Sequence, residues 1–222
     1  MNVRISGSLA SAAILVVALA GCATSTPQSG PSFFVTSQGG GKGADFGGLA
    51  GADKHCQTLA AAAGLGDKTW RAYLSASAAG STPAVNARDR IGTGPWRNVK
   101  GTVVATSVDE LHADNNLTKQ TSLTEKGAVV NGRGDTPNKH DVLTGTQPNG
   151  TAFPGPDDKT CGNWTKSGEG SAIVGHIDRD GLPQDPVAVR TSWNSSHATK
   201  GCSDEALVST GGAGLLYCFA AK

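Results

Sequence analysis

What this chain most plainly lacks is a surplus of either charge. Its 222 residues carry 19 Lys and Arg against 18 Asp and Glu. Arg4 is the only charged side chain among the first 21 residues, and without it the balance is 18 to 18. Nucleic acid and heparin are held by neutralising phosphate or sulfate, and a balanced chain offers no excess for either. Catalytic signatures are equally scarce. The sequence contains no G-x-S-x-G and no H-E-x-x-H, and nothing in it points to a glycosidase carboxylate pair. No enzyme is expected. The glycine loop G-G-G-K-G-A-D-F-G-G at 39–48 has no G-K-[ST], and no helix starts directly after its lysine, so it is not read as a phosphate cradle. There is no C-x-x-C and no paired Cys/His spacing, so no metal site is expected from motif alone.

Long apolar runs are also missing. Ala10–Ala20 is apolar apart from Ser11 and too short to span a bilayer. With Arg4 ahead of it, the stretch has the make-up of an export signal. It ends in Leu19–Ala20–Gly21–Cys22, which resembles the bacterial lipobox. The resemblance implies that residues 1–21 are removed and that Cys22 carries the lipid anchor. Ala23, where Asp would retain the protein, favours an outer membrane. Residues 22–32 are rich in Ser, Thr, Pro and Gly and read as a flexible tether. Residues 33–222 form one domain, long enough to bury a core.

What is abundant is glycine, at 31, with 10 prolines. A loop-rich domain of this kind gains from covalent staples. With Cys22 lipidated, Cys56, Cys161, Cys202 and Cys218 remain, an even number in an oxidising compartment, which allows two disulfides in three possible connectivities.

Regular elements are few. Phe33–Ser37 reads as a strand. Residues 49–65 read as the one long helix, with Leu49, Ala52, Cys56, Leu59, Ala60 and Ala63 on one face and Gly64 as its C-terminal stop. Residues 70–75 alternate as a strand, and 83–91 suit a short helix with Pro83 in its first turn. Trp96 is expected in the core, a helical turn within 108–117, and a short strand at 128–130 before the Asn131–Gly132 turn. Leu215–Phe219 is one buried strand. Its Cys218 needs a partner on an element packed against it, and Cys56 is the candidate.

The segments F-V-T-S, G-G-L-A-G-A-D-K-H-C-Q and R-A-Y-L-S resemble the opening of the endostatin-like branch of the C-type-lectin fold. T-G-T-Q-P-N-G, T-C-G-N-W-T and the C-terminal cysteine pair continue the match over about residues 33–221. The chain also looks like a bacterial group of lectin-like proteins. The resemblance implies an α+β, C-type-lectin-like (endostatin-like) fold. Such a fold has a twisted, mostly antiparallel sheet, one or two flanking helices and long loops. It also implies two nested disulfides, Cys56–Cys218 around Cys161–Cys202.

For a ligand, the same resemblance points to Gln147–Pro148–Asn149 in the long loop and Trp193–Asn194–Ser195 in the following strand. Gln147, Asn149, Trp193 and Asn194 are the expected ligand-binding residues. Calcium is the one cofactor the family suggests, but Gln147 and Asn149 are neutral and Ser195 stands where the family has Asp. Asp157, Asp158, Asp178, Asp180 and Asp185 would have to supply the carboxylates that calcium requires, although turn chemistry also explains them. No cofactor is therefore expected. Endostatins hold zinc through histidines at their extreme N-terminus, which this tether lacks.

Trp164 and Trp193 could stack on a sugar or pack the core. His176 and His197 read as structural. Arg133–Gly134–Asp135 has the form that integrins read on a loop, and the Asn131–Gly132 turn explains it without a partner. The expectation is an envelope-anchored, non-enzymatic lectin-like module for a glycan or an extracellular protein, bound to membrane through its lipid and not to nucleic acid. The second expectation is a structural or protein-interaction lipoprotein that keeps the fold without a sugar or calcium site.

Overall fold

Leu215, Tyr217 and Phe219 alternate with Leu216, Cys218 and Ala220 along a single strand, and the alternation sorts them onto two faces that are both buried. That strand, β8 (Gly212–Ala221), is the axis of a computed structural model that describes residues 1–3 and 30–221. The expected export signal, Cys22 and most of the tether lie outside the described residues. The architecture is α+β and dominated by a six-stranded sheet.

The strands are β1 (Phe33–Val35), β2 (Thr69–Ala72), β3 (Trp96–Arg97), β4 (Val103–Ala105), β5 (Asp141–Leu143), β6 (Ile173–His176), β7 (His197–Ala198) and β8. The sheet runs β1-β8-β5-β6-β7, with β2 also on β8, while β3 and β4 form a separate pair. Cys218 has both Phe34 and Ala72 as partners, so β1 and β2 flank β8 on opposite edges. The β5–β8 pairing is parallel and the others are antiparallel.

One face of the sheet carries Phe34, Trp70, Leu143, Val174 and Leu216 and is covered by α1 (Gly48–Ala62). This helix buries Ala52, Cys56, Leu59 and Ala60, four of the six residues of the predicted stripe, while Leu49 and Ala63 at its two ends are only partly buried. It ends where Gly64 adopts φ +77° and Leu65 N donates to Ala60 O at 2.8 Å, a Schellman closure that a Cβ would disfavour. Helix side chains also satisfy the edge of β2. Gln57 Oε1 accepts from Trp70 N and Asp53 Oδ1 from Ala72 N, each at 2.9 Å. An edge covered in this way is closed to further pairing. The other face carries Phe33, Val35, Val142, Leu215, Tyr217 and Phe219 and packs against Trp96, Ile177 and Trp193.

Both predicted disulfides are present. Cys56–Cys218 joins α1 to β8, and Cys161–Cys202 ties the loop before β6 to the loop after β7. Two bridges fit an oxidising compartment. Among the described residues no helix is long and apolar enough to cross a membrane.

Three expectations give way. Ser32 is buried, its N donating to Arg97 O and its carbonyl accepting from Ala220 N, so the chain is docked one residue before the expected boundary. The helix expected at 83–91 shrinks to a single turn at Ala87–Asp89, because Val85 is held extended by paired backbone bonds to Ala76. Residues 128–130 make only an isolated bridge, Leu123 to Val129. In return β5 and β6, which the sequence does not announce, supply the middle of the sheet.

Candidate functional site

Strand register builds the site. Asp141, first in β5, is the direct partner of His176, last in β6. His197, first in β7, pairs with Val174 two residues earlier on β6. Period-two alternation therefore sets Asp141, His176 and His197 on one face. His140 precedes β5 and joins them. Its neighbour in space is Gly211 at φ +105°, where a Cβ would lie 3.1 Å from His140 Nε2. On the other side of β5 the pairing skips: Asp141 opposes Gly212 but Val142 opposes Leu215. Gly214, at φ +65°, sits inside this bulge, a device that re-aims side chains.

The three imidazoles converge on one oxygen. Asp141 Oδ1 lies 3.2 Å from His140 Nε2 and 3.4 Å from both His176 Nε2 and His197 Nε2. The Asp141 side chain is 1% exposed. Even so, among the described residues neither of its oxygens has a hydrogen-bond partner, and nor does His176 Nε2. The opposite ring nitrogens are all engaged. His176 Nδ1 lies 2.9 Å from Arg190 O and His197 Nδ1 3.2 Å from Ala198 O. A carbonyl can only accept, so both Nδ1 atoms carry the proton. His140 Nδ1 donates to Asp178 Oδ1 at 3.1 Å. In the neutral rings the lone pairs are thus on Nε2, facing the carboxylate.

Burial would push the Asp141 carboxyl up. The His176 and His197 rings, with the charge of His140, bring it below its ordinary value. Both rings lie 3.4 Å from the carboxylate without a formed hydrogen bond, and the charge of His197 adds to that of His140. Asp141 in turn raises His197 against the effect of burial. Burial likewise opposes ionisation of Asp178, but His140 and the backbone N–H groups of Arg133 and Asp180 lower its pKa.

Above these rings opens a cleft of about 440 Å³, with Arg133, Lys200 and Asp185 on its rim and Ser209 and Thr210 on its wall. Ser196 Oγ lies 3.3 Å from His176 Nδ1, which gives a superficial Ser–His–Asp series. It does not work as one. His176 Nδ1 already holds a proton for Arg190 O and cannot take another from the hydroxyl.

The residues expected from sequence come together in a different role. Asn194 is 1% exposed, and its Nδ2 donates to Tyr73 OH at 3.0 Å, Pro148 O at 3.1 Å and Gln147 O at 3.4 Å. Trp193 is buried among Tyr73, Tyr217 and His112. Gln147 Nε2 donates to Thr151 Oγ1 and Ala152 O, and Asn149 Oδ1 accepts from Thr151. The two motifs meet, but Asn194 is the clamp that holds the loop. Asn149 is the one of the four that is exposed. Of the carboxylates considered for calcium, Asp178 holds His140 and Asp185 lines the cleft, and the others have partners of their own. Asp157 pairs with Lys159, Asp158 accepts from the Thr160 and Gly162 amides, and Asp180 pairs with Arg133. In Arg133–Gly134–Asp135 both charged side chains are occupied, Arg133 by Gly181 O and Asp135 by Lys119. Trp164 is fully buried and donates to Ser75 O.

The sequence reading missed the histidine cluster. The available signal was the His140–Asp141 pair and the fact that His176 and His197 are two of only five histidines. A scan against protein-family models and a search of curated proteins return no match for this sequence.

Proposed function

We propose that this chain is an exported, envelope-tethered, non-enzymatic binding module of lectin-like architecture. It takes a glycan or an extracellular protein ligand in the cleft over His140, His176 and His197. The observation that carries this reading is the cleft itself, which has a fixed polar floor, charges of both signs on its rim and a volume of about 440 Å³. Pockets of that size with a few convergent polar groups are the usual seats of small ligands and side chains. The α1-to-β8 bridge with a second bridge nested inside it supports the lectin-like reading. The burial of Trp193 and Asn194 supports reading this cleft, and not the Gln147 loop, as the ligand seat.

The second reading, a protein-interaction lipoprotein without a sugar site, draws on exposed Leu182, Val187 and Val208, the first of which lines the cleft. A glycan array run with the parent and with Ala198→Trp, which fills the cleft from an exposed position, tests the first reading. Retention on defined glycans that Ala198→Trp abolishes supports it. Retention that survives the tryptophan places the ligand elsewhere. Cys22→Ser should release the chain from the membrane fraction if the tether is lipid-anchored.

A further inference from the structure

We propose that Asp141 Oδ1 and the Nε2 atoms of His140, His176 and His197 bind one divalent transition-metal ion, for which zinc has the best-matched chemistry. The proposal does not depend on the ligand of the cleft, since ion binding is measured without one. Three observations carry it.

The first is the orphaned carboxylate. A buried, ionised Asp with no hydrogen bond is costly, and buried polar groups are nearly always satisfied. Both Asp141 oxygens and His176 Nε2 lack a partner in the same small space. An ion held by Oδ1 and His176 Nε2 gives both of those atoms a partner and offsets the charge of the carboxylate.

The second is distance. A tetrahedral ion with bonds of about 2.0–2.1 Å sets its ligand atoms about 3.3 Å apart. The three Nε2-to-Oδ1 separations are 3.2, 3.4 and 3.4 Å. The donor atoms of His140, Asp141 and His176 all lie within 4.8 Å of one another, and His197 Nε2, outside that group of three, is 3.4 Å from Asp141 Oδ1 and must swing in to complete the set. His176 and His197 are tilted by 59° to each other, while His140 and His176 are stacked at 8°. Lone pairs lie in the ring planes, so a shared ion requires His140 or His176 to turn about χ2. His197, with a third of its side chain exposed, closes from the cleft side.

The third is the outer layer. Metal-bound histidines characteristically donate the other ring N–H to a carboxylate or a backbone carbonyl. All three rings do so here, to Asp178, Arg190 O and Ala198 O. This fixes the tautomer and leaves Nε2 free to ligate. Calcium would find one carboxylate where it wants six to eight oxygens. Three imidazoles and a carboxylate suit zinc, and also copper, iron or nickel.

The test uses the purified, disulfide-intact chain carrying Cys22→Ser, so that no free thiol competes. Zinc is titrated calorimetrically after chelator treatment, and cobalt is added as an optical surrogate. The expected result is one zinc per chain and a visible cobalt spectrum of the intense, tetrahedral type. His197→Ala removes a part-exposed ligand and should weaken zinc by tenfold or more. Asp178→Ala removes the partner of His140 and should weaken it by roughly 10–100-fold. His55→Ala, on α1 away from the cluster, should leave it unchanged. A failure of zinc to bind saturably overturns the proposal. So does zinc binding that His197→Ala and His176→Ala both leave unaltered. An X-ray absorption spectrum of the zinc complex without about three imidazoles overturns the ligand set.

Discussion

Asp141 and His176 stand directly opposite each other across β5 and β6, 3.4 Å from Oδ1 to Nε2, both buried and neither atom hydrogen-bonded to the other or to anything else among the described residues. A folded chain does not ordinarily place two such groups face to face without a third party. If that party is zinc, it binds the folded state and stabilises it by mass action. A hundredfold excess over Kd contributes about 2.7 kcal/mol, or roughly 5–10 °C for a domain of this size. Melting scans of the chain with zinc and with chelator should differ by that amount. Replacing His176 with Ala should erase the difference. An equal rise in parent and variant would mean that zinc acts elsewhere.

Asn194 leads to a second expectation, about stability. Its amide holds the Gln147 and Pro148 carbonyls and the Tyr73 hydroxyl in the core. Asn194→Ala takes away the partner of the Pro148 carbonyl, while Tyr73 OH keeps His112 and Gln147 O keeps the Gly150 amide, and should cost about 1–3 kcal/mol if that carbonyl stays buried and unsatisfied. Urea denaturation measures this as a lower midpoint. If the variant is as stable as the parent and yet loses ligand, Asn194 is a contact residue and the cleft is not the seat.

The contrast between these two sites shows what the sequence could reveal. Cys218 within an apolar run and Cys56 on a helical stripe are local patterns, and they announced the long disulfide and the axis of the sheet. The meeting of the Gln147 loop with Asn194 was legible as motif order. Its burial was not, because it depends on Tyr73 and Tyr217, which close over Trp193 from distant segments. The histidine cluster was illegible for a related reason. β5 and β6 are three and four residues long, too short to show a period. Residues 140, 176 and 197 are brought together by strand order and by a bulge opposite Asp141. Nothing in their spacing encodes that.

The two bridges should differ in weight. Cys56–Cys218 spans 162 residues and Cys161–Cys202 spans 41. On the chain-entropy relation these loops are worth about 5 and about 4 kcal/mol. The paired variant Cys161→Ala, Cys202→Ala should therefore remain folded with a lowered urea midpoint, and Cys56→Ala, Cys218→Ala should lose more. The inner bridge also lies behind β6 and β7, which carry His176 and His197. Its removal should weaken zinc binding even under conditions where the chain stays folded. Unchanged zinc affinity would show that the strands hold the site alone.

His112 gives the chain a pH response independent of the cluster. Its Nδ1 donates to Val108 O and its Nε2 accepts from Tyr73 OH, both at 2.7 Å. Burial pushes the imidazole below its ordinary value, the Val108 carbonyl opposes this, Arg88 adds to it and Asp109 counters it. The sign follows from proton counting. The folded pKa is depressed, so as pH falls through about 6.5 the unfolded chain takes up a proton that the folded chain refuses. Stability contributed by the neutral ring is therefore fully present above that pH. It is lost progressively below it, until the folded form also protonates. His112→Gln keeps an acceptor for Tyr73 and removes the titration. Plotted between pH 7.5 and 5, its unfolding free energy should fall less steeply than that of the parent. Parallel curves would mean that the acid sensitivity resides elsewhere, with the Asp141 cluster the first place to look.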